Sequence, residues 1–260
     1  MPAVFSINHL TFSYDGKENI FDDLKLDISQ GKITTLLGGN GCGKTTLFNL
    51  MTKNLKVQKN QILFQGQDVS AMRLKEFATQ VAIVHQKNTA PSDISVKKLV
   101  SYGRIPYKSL YPKSKSSSDE DEKMITWALE VTDTLKLKDR TVGELSGGQM
   151  QRVWIAMALA QGTDVLFLDE PTTFLDVRYQ LQVLKLVKRL NCEYGKTIIM
   201  VLHDINQALY YSDEIITLAK GQVCAQGRPL EIVNKELLKD VYDVSLDVRN
   251  YGSECFVLPI

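Results

Sequence analysis

The sequence predicts an α/β fold with a mainly parallel sheet core, an antiparallel β subdomain and an inserted α-helical subdomain. Three observations carry this. Short apolar runs at Ile33–Leu37, Val81–Val84, Val165–Leu168 and Thr197–Leu202 alternate with longer helical patterns, as parallel strands covered on both faces do. Val4–Phe12 and Gln61–Gln67 alternate apolar with polar side chains beside turn residues, the pattern of half-exposed antiparallel strands. Between Gln86 and Leu145 the strand signals disappear.

At 260 residues, positions 1–260 are read as one domain, with the helical subdomain inserted at about 87–150. Hydrophobic residues at 44% and charged residues at 23% are ordinary globular usage and exclude a disordered or collagen-like chain. Lys and Arg number 31 against 30 Asp and Glu, so no basic field exists to recruit nucleic acid and a charged partner must be met locally. No apolar run approaches the roughly eighteen residues of a membrane helix, and Met1–Leu10 has neither the basic start nor the apolar stretch of a signal peptide. The expected location is cytoplasmic. Cys42, Cys192, Cys224 and Cys255 form no CxxC and are read as reduced thiols.

In chain order, Gly38-Gly39-Asn40-Gly41-Cys42-Gly43-Lys44-Thr45-Thr46 follows the buried run ending at Leu37 and opens an apolar-periodic helix near Lys44. Strand, loop and helix in that order let backbone amides surround phosphate oxygens, with Lys44 reaching the outer phosphates and Thr45 ligating magnesium. The plain alternative is a glycine-rich turn that joins strand to helix. Ser118, followed by Asp119-Glu120-Asp121-Glu122, is expected to cap a helix running to about Val131. The charged, serine-rich stretch Lys113–Lys123 reads as a surface loop entering that helix, a phosphorylated regulatory segment being the alternative.

Leu145-Ser146-Gly147-Gly148-Gln149 opens a helical pattern from Met150 through Leu159. Ser146 is its expected cap, and the segment is either an ordinary cap or a second anion-ready helix start. Val165–Leu168 ends in Asp169-Glu170-Pro171. Acids at the carboxyl end of a parallel strand face the ligand crevice, which places Asp169 to hold magnesium and Glu170 to orient or deprotonate an attacking water. Acids that merely start the next turn are the alternative. Gly195 stops a helix, Glu214–Ala219 and Gln222–Ala225 form a hairpin turned at Lys220-Gly221, and helical spacing resumes near Pro229. No internal repeat is present.

These motifs in combination resemble the nucleotide-binding subunit of an ABC transporter, a P-loop NTPase, over most of the chain: the phosphate loop at Gly38–Thr46, the LSGGQ signature at Leu145–Gln149 and the Asp169-Glu170 strand end. The resemblance implies an ATPase that takes ATP and Mg2+. Under it Lys44, Glu170 and His203 are catalytic, His203 contacting the terminal phosphate. ATP is bound by the loop and by Ser146, Gly147, Gly148 and Gln149, while Tyr14 stacks on adenine. Thr45, Gln86 and Asp169 serve the metal, Gln86 also joining the core to the helical insertion. Asp176 matches a loop that crosses between subunits. Taken alone, Tyr14 also reads as a strand aromatic, Gln86 as a polar strand end, and His203 as a structural imidazole beside Asp204; His9 and His85 have no motif support. Cys42 stands where a small residue is expected, thiol-based regulation being the alternative. Gly39 stands where proline is frequent in the family.

The resemblance further implies a homodimer around two ATP, in which each signature acts on the opposite subunit's nucleotide. The helical insertion would touch membrane-spanning permease subunits, with a substrate-binding protein as indirect partner, so that the chain is peripheral on the cytoplasmic face of the membrane. Ser101–Tyr107, Trp154–Gln161 and Thr172–Asp176 resemble the ATPases of iron-siderophore, haem and cobalamin importers. Alternatives are a helix end and turn fixed by Gly103 and Pro106, a transporter subunit for another substrate, or a soluble ABC ATPase acting on a scaffold such as one for iron-sulfur cluster assembly. Against DNA-repair and translation types stand a single cassette and the lack of a long coiled coil or basic stripe. A regulator without turnover is disfavoured by the presence of both Glu170 and His203.

Overall fold

In the computed structural model, which describes residues 2–108, 115–251 and 254–259, the first elements are β1 (Ala3–Phe12), β2 (Phe21–Ser29), β3 (Ile33–Gly38), α1 (Lys44–Met51), β4 (Ile62–Phe64) and β5 (Gln67–Asp68). There follow α2 (Leu74–Phe77), β6 (Val81–Val84), α3 (Val96–Ser101), a 3-10 turn at Tyr102–Tyr107, α4 (Lys115–Val131), α5 (Gly147–Ala160), β7 (Val165–Asp169) and α6 (Val177–Tyr194). The chain closes with β8 (Thr197–Val201), α7 (Ile205–Tyr211), β9 (Glu214–Ala219), β10 (Gln222–Gly227), α8 (Pro229–Ile232), α9 (Lys235–Tyr242), β11 (Leu246–Tyr251) and β12 (Glu254–Pro259).

Two compact units result, Met1–Met72 with Gly195–Ile260, and Arg73–Tyr194. In the first, β3 pairs in parallel with both β8 and β9, and every residue of β3 and β8 is buried. That burial on both faces is why these segments read as unbroken apolar runs. The antiparallel sheet of the same unit has the order β2-β1-β4-β5. Here Phe5 and Phe64 pack with ring centroids 5.0 Å apart, while β2 alternates buried and exposed positions. Phe21–Ser29 was not assigned from the sequence, although its alternation is the ordinary strand signal. The β1–β2 register shifts between Ile7 and Leu10, where His9 has φ 50°, and again between Leu10 and Phe12, where Asp23 on β2 has φ 56°; the side chains of His9 and Asp23 pair.

The second unit holds the parallel pair β6 and β7 and the helices α3 to α6. Helix α4 packs on α5, with Ile125, Ala128 and Leu129 of the one and Val153, Ile155 and Ala156 of the other buried. Each of the isoleucine, leucine and valine side chains among them contributes about 1.5–3 kcal/mol through lost water contact, the alanines less. Two expectations are corrected: α4 begins at Lys115, so Ser118 lies inside the helix and does not cap it, and Lys115–Lys123 is helix, not the surface loop expected there. Serine in a helix costs only about half a kcal/mol relative to alanine, and the acidic run Asp119–Glu122 lies beyond the first turn, so the expected match to the helix dipole is not realised. Lys113 and Ser114, the start of the serine-rich stretch, lie outside the described residues.

The hairpin β9–β10 turns at Lys220-Gly221 as the sequence indicates, and Gly195 follows α6 with φ 64°. The β11–β12 hairpin carries no element assigned from the sequence. It is tied to α7 by Asn206, whose amide donates to Val257 O (3.0 Å) and accepts from Val257 N (2.8 Å).

Candidate functional site

The loop after β3 is shaped by close backbone approach. At Gly38 (φ 155°) a Cβ would come within 2.3 Å of Leu218 O and 2.5 Å of Cys42 Sγ, so only glycine fits. Cys42 is buried, its sulfur packed against Gly38, which favours the small-residue reading over a reactive thiol. Lys44 begins α1 only 5% exposed, and its Nζ donates to Gly38 O (2.8 Å) and Gly39 O (2.9 Å). The cation is therefore clasped by the carbonyls of its own loop. Thr45 is exposed at the start of the same helix.

Tyr14, placed just past β1 and 62% exposed, presents its hydroxyl 3.1 Å from Thr46 Oγ1 and its ring edge-on to Phe12. It belongs to a turn rather than to the strand, which leaves its face open for stacking. His203 is exposed between β8 and Asp204, whose carboxylate caps α7 by accepting from Gln207 N at 2.9 Å. Asp204 is thus engaged with the helix. A cavity of about 530 Å³ opens beside Asn40 and Gly41 and is bordered by Lys220, Lys239 and Tyr242. Burial pushes the Tyr242 phenol up to about 12, so it stays protonated at neutral pH.

In the second unit Asp169 ends β7 and is 8% exposed. Glu170, next in the chain, has φ 48°, a strained conformation that turns its carboxylate off the strand line. Its Oε2 accepts from Gln86 Nε2 and, at 3.0 Å, from Thr173 Oγ1. Gln86, just beyond β6, therefore holds the candidate base. Thr173 was not picked out from the sequence, though it lies in the Thr172–Asp176 segment already noted.

Ser146 caps α5 in a full capping box, its Oγ accepting from Gln149 N (3.4 Å) and its N–H donating to Gln149 Oε1 (3.0 Å). The expected Ser146 cap is present, and Gln149 adds a return bond that was not assigned from the sequence. Gly148 lies against α6, where a Cβ would meet the Tyr179 ring at 2.3 Å. Asp176 caps α6 through Tyr179 N (3.1 Å), so the signature helix and the Asp176 turn share Tyr179 as neighbour. Between Glu170 and Asp176, Phe174 has φ 63° and is 85% exposed.

The Tyr102–Tyr107 wording has a packing role. Arg104 is 5% exposed; its Nε donates to Asp121 Oδ1 on α4 (2.7 Å), its Nη1 to Ala160 O at the end of α5 (3.0 Å), and its guanidinium lies 4.0 Å from the Tyr107 ring. It satisfies carbonyls left open at the C-terminus of α5 and places a cation where the dipole is negative. Gly103 lets the turn sit on Met157 O, 2.1 Å from where a Cβ would stand. Arg104 was not singled out from the sequence because its partners are remote along the chain.

Residues 21–173 match the ABC transporter family. The iron(3+)-hydroxamate import ATP-binding protein FhuC of Bacillus subtilis (strain 168) is 45% identical over 233 residues, covering 90% of this chain and 86% of that protein. The achromobactin transport ATP-binding protein CbrD of Dickeya dadantii (strain 3937) is 43% identical over 260 residues, covering 100% and 94%. Among solved structures, cbiO1 from Clostridium perfringens, part of the ABC transporter complex cbiONQ, superposes with TM-score 0.80 at 33% identity, covering 89% of this chain and 91% of that one. A dimeric ATP-binding cassette in a post-hydrolysis state bound to ADP and Pi superposes with TM-score 0.72 at 26% identity, covering 86% and 98%.

Proposed function

The chain belongs to the ABC transporter family, and from that premise we propose that it is the ATP-hydrolysing subunit of an importer for a metal complex of the iron-siderophore, haem or cobalamin kind. The observation that carries the nucleotide reading is the loop at Gly38–Lys44, which admits no side chain at Gly38 and holds a buried cation on its own carbonyls. Relatives named for iron(3+)-hydroxamate and achromobactin transport, matched over nearly all of the chain, support the cargo.

In this reading the loop amides and Lys44 bind the β- and γ-phosphates, and Tyr14 stacks on the adenine. Exposed Thr45 and the strand-end carboxylate Asp169 are hard oxygen donors of the sort magnesium takes, with Gln86 beside them in role. Bound there, magnesium neutralises charge on the phosphate oxygens. Glu170, oriented by Gln86 and Thr173, aligns the attacking water and takes its proton, while His203 contacts the terminal phosphate. Ser146 to Gln149 act on the nucleotide of the opposite subunit in a homodimer around two ATP.

We place the subunit on the cytoplasmic face of the membrane, docked to permease subunits through the helical insertion at about 87–150, with a substrate-binding protein as indirect partner. Among the described residues no helix is long and apolar enough to cross a membrane. The test is uptake of labelled ferric-siderophore, haem and cobalamin by a deletion strain carrying the wild-type chain or Glu170→Gln. One complex should enter only with the wild type. Normal uptake of all three in the deletion strain removes the cargo reading, and co-purification with soluble scaffold proteins alone removes the membrane role.

A further inference from the structure

We propose that a cavity in the second unit, between the C-terminal end of α4 and the sides of α5 and α6, binds a phosphate group, as free hydrogen phosphate or as a small hydroxyl-bearing phosphate monoester. The cavity measures about 260 Å³ and is bordered by Asp133, Arg152, Gln182, Lys185, Leu186 and Arg189 among others. Three cationic side chains there face one carboxylate, an excess of two positive charges over a space well above that of a single water.

The hydrogen bonds left unmade specify the ligand. Nε of Arg152, Nε of Arg189 and Oε1 of Gln182 are all buried without a partner. Native proteins rarely leave such groups unsatisfied, and three around one cavity point to a molecule that completes them. It must accept from two guanidinium N–H groups, carry negative charge and donate one hydrogen bond to the Gln182 carbonyl. Hydrogen phosphate does all three. Sulfate at neutral pH has acceptors only, and water supplies no charge. Arg189 is already aimed, because its Nη2 donates to Val131 O at the end of α4. Guanidinium groups presented in this way suit a tetrahedral oxyanion. None of these residues belongs to the nucleotide machinery, and an occupant would tie α4, α5 and α6 together.

The full chain, saturated with a non-hydrolysable ATP analogue and magnesium so that the Gly38–Thr46 loop is filled, is titrated by calorimetry with inorganic phosphate, glycerol 3-phosphate and sulfate. One saturable site for phosphate or its ester, at least fivefold weaker for sulfate, is expected, and the tighter of the first two names the source. Lys185→Glu, at an exposed position where folding is safe, should weaken binding at least tenfold. Arg152→Lys keeps the charge without the Nε and should weaken it severalfold; Gln182→Leu should erase the preference over sulfate. Absence of a saturable site, or unchanged affinity in both Lys185→Glu and Arg152→Lys, overturns the proposal. Failure of the ATP analogue to bind is seen in its own titration and bears on the nucleotide reading alone.

Discussion

Lys44 Nζ donates to Gly38 O across 2.8 Å, so the cation assigned to the outer phosphates is held by the backbone of its own loop. Nucleotide has to draw it away from two carbonyls. Lys44→Ala removes a charge-assisted contact worth about 1.5–3 kcal/mol. ATP affinity should fall roughly tenfold to a hundredfold, with hydrolysis falling alongside. Equal affinity and turnover in wild type and variant would remove Lys44 from the site.

Glu170→Gln keeps the shape of the carboxylate and its contacts with Gln86 and Thr173 but loses charge and basicity. Binding should survive while phosphate release drops about a hundredfold to ten-thousandfold. In a mixed dimer with Ser146→Arg, both lesions fall on one composite site if the signature acts in trans. ATPase in the mixed dimer well above either homodimer is expected, and a Glu170→Gln protein that stays monomeric in saturating ATP and magnesium, even with its permease, would oppose the dimer mechanism.

Gly148→Ala puts a methyl 2.3 Å from the Tyr179 ring. Overpacking of this sort costs about 1–3 kcal/mol, and the melting temperature should drop by several degrees. Adding Tyr179→Ala should restore part of that loss. If the double variant melts no higher than Gly148→Ala, the clash is not the cause.

Arg104→Gln leaves Asp121 and the carbonyl of Ala160 without their donor. Breaking a largely buried pair from one side costs roughly 3 kcal/mol, with the α5 end loosened. Amide exchange at the C-terminal turn of α5 should speed up, whereas ATP binding at the loop should hold. Protection equal to wild type would show that α5 does not depend on this arginine.

Asp247 receives Lys235 Nζ at 2.6 Å and Arg249 Nε at 2.8 Å, which hold its carboxyl down at about 2 from 3.8. A depressed folded-state value stabilises the fold above the unfolded value, and the contribution is lost as pH falls toward the folded one. Asp247→Asn should therefore expose the β11–β12 hairpin to faster amide exchange at neutral pH. Its difference from wild type should narrow between about pH 4 and pH 2. A difference that is the same across that range would exclude the ion pairs as its source.

Local chemistry was enough to read the glycine-rich loop between β3 and α1, the Ser146 cap of α5, the acids closing β7 and the β9–β10 hairpin. Each depends on backbone geometry and neighbours within a few residues, so composition and spacing encode it directly. The ABC type, the ATPase activity and the likeness to siderophore importers were legible for the same reason, through short motifs in combination. What only the tertiary structure decided involves partners far apart in the chain. Arg104 on Asp121 and Ala160, Gly148 under Tyr179, Gln86 and Thr173 on Glu170, and the unmet donors of Arg152 and Arg189 all arise when helices and strands pack. Helix α4 also began three residues before its expected cap, because a serine weak in propensity still continues a helix whose apolar face is buried against α5. Side-chain contacts across such separations are set by packing geometry, which no local pattern of residues specifies.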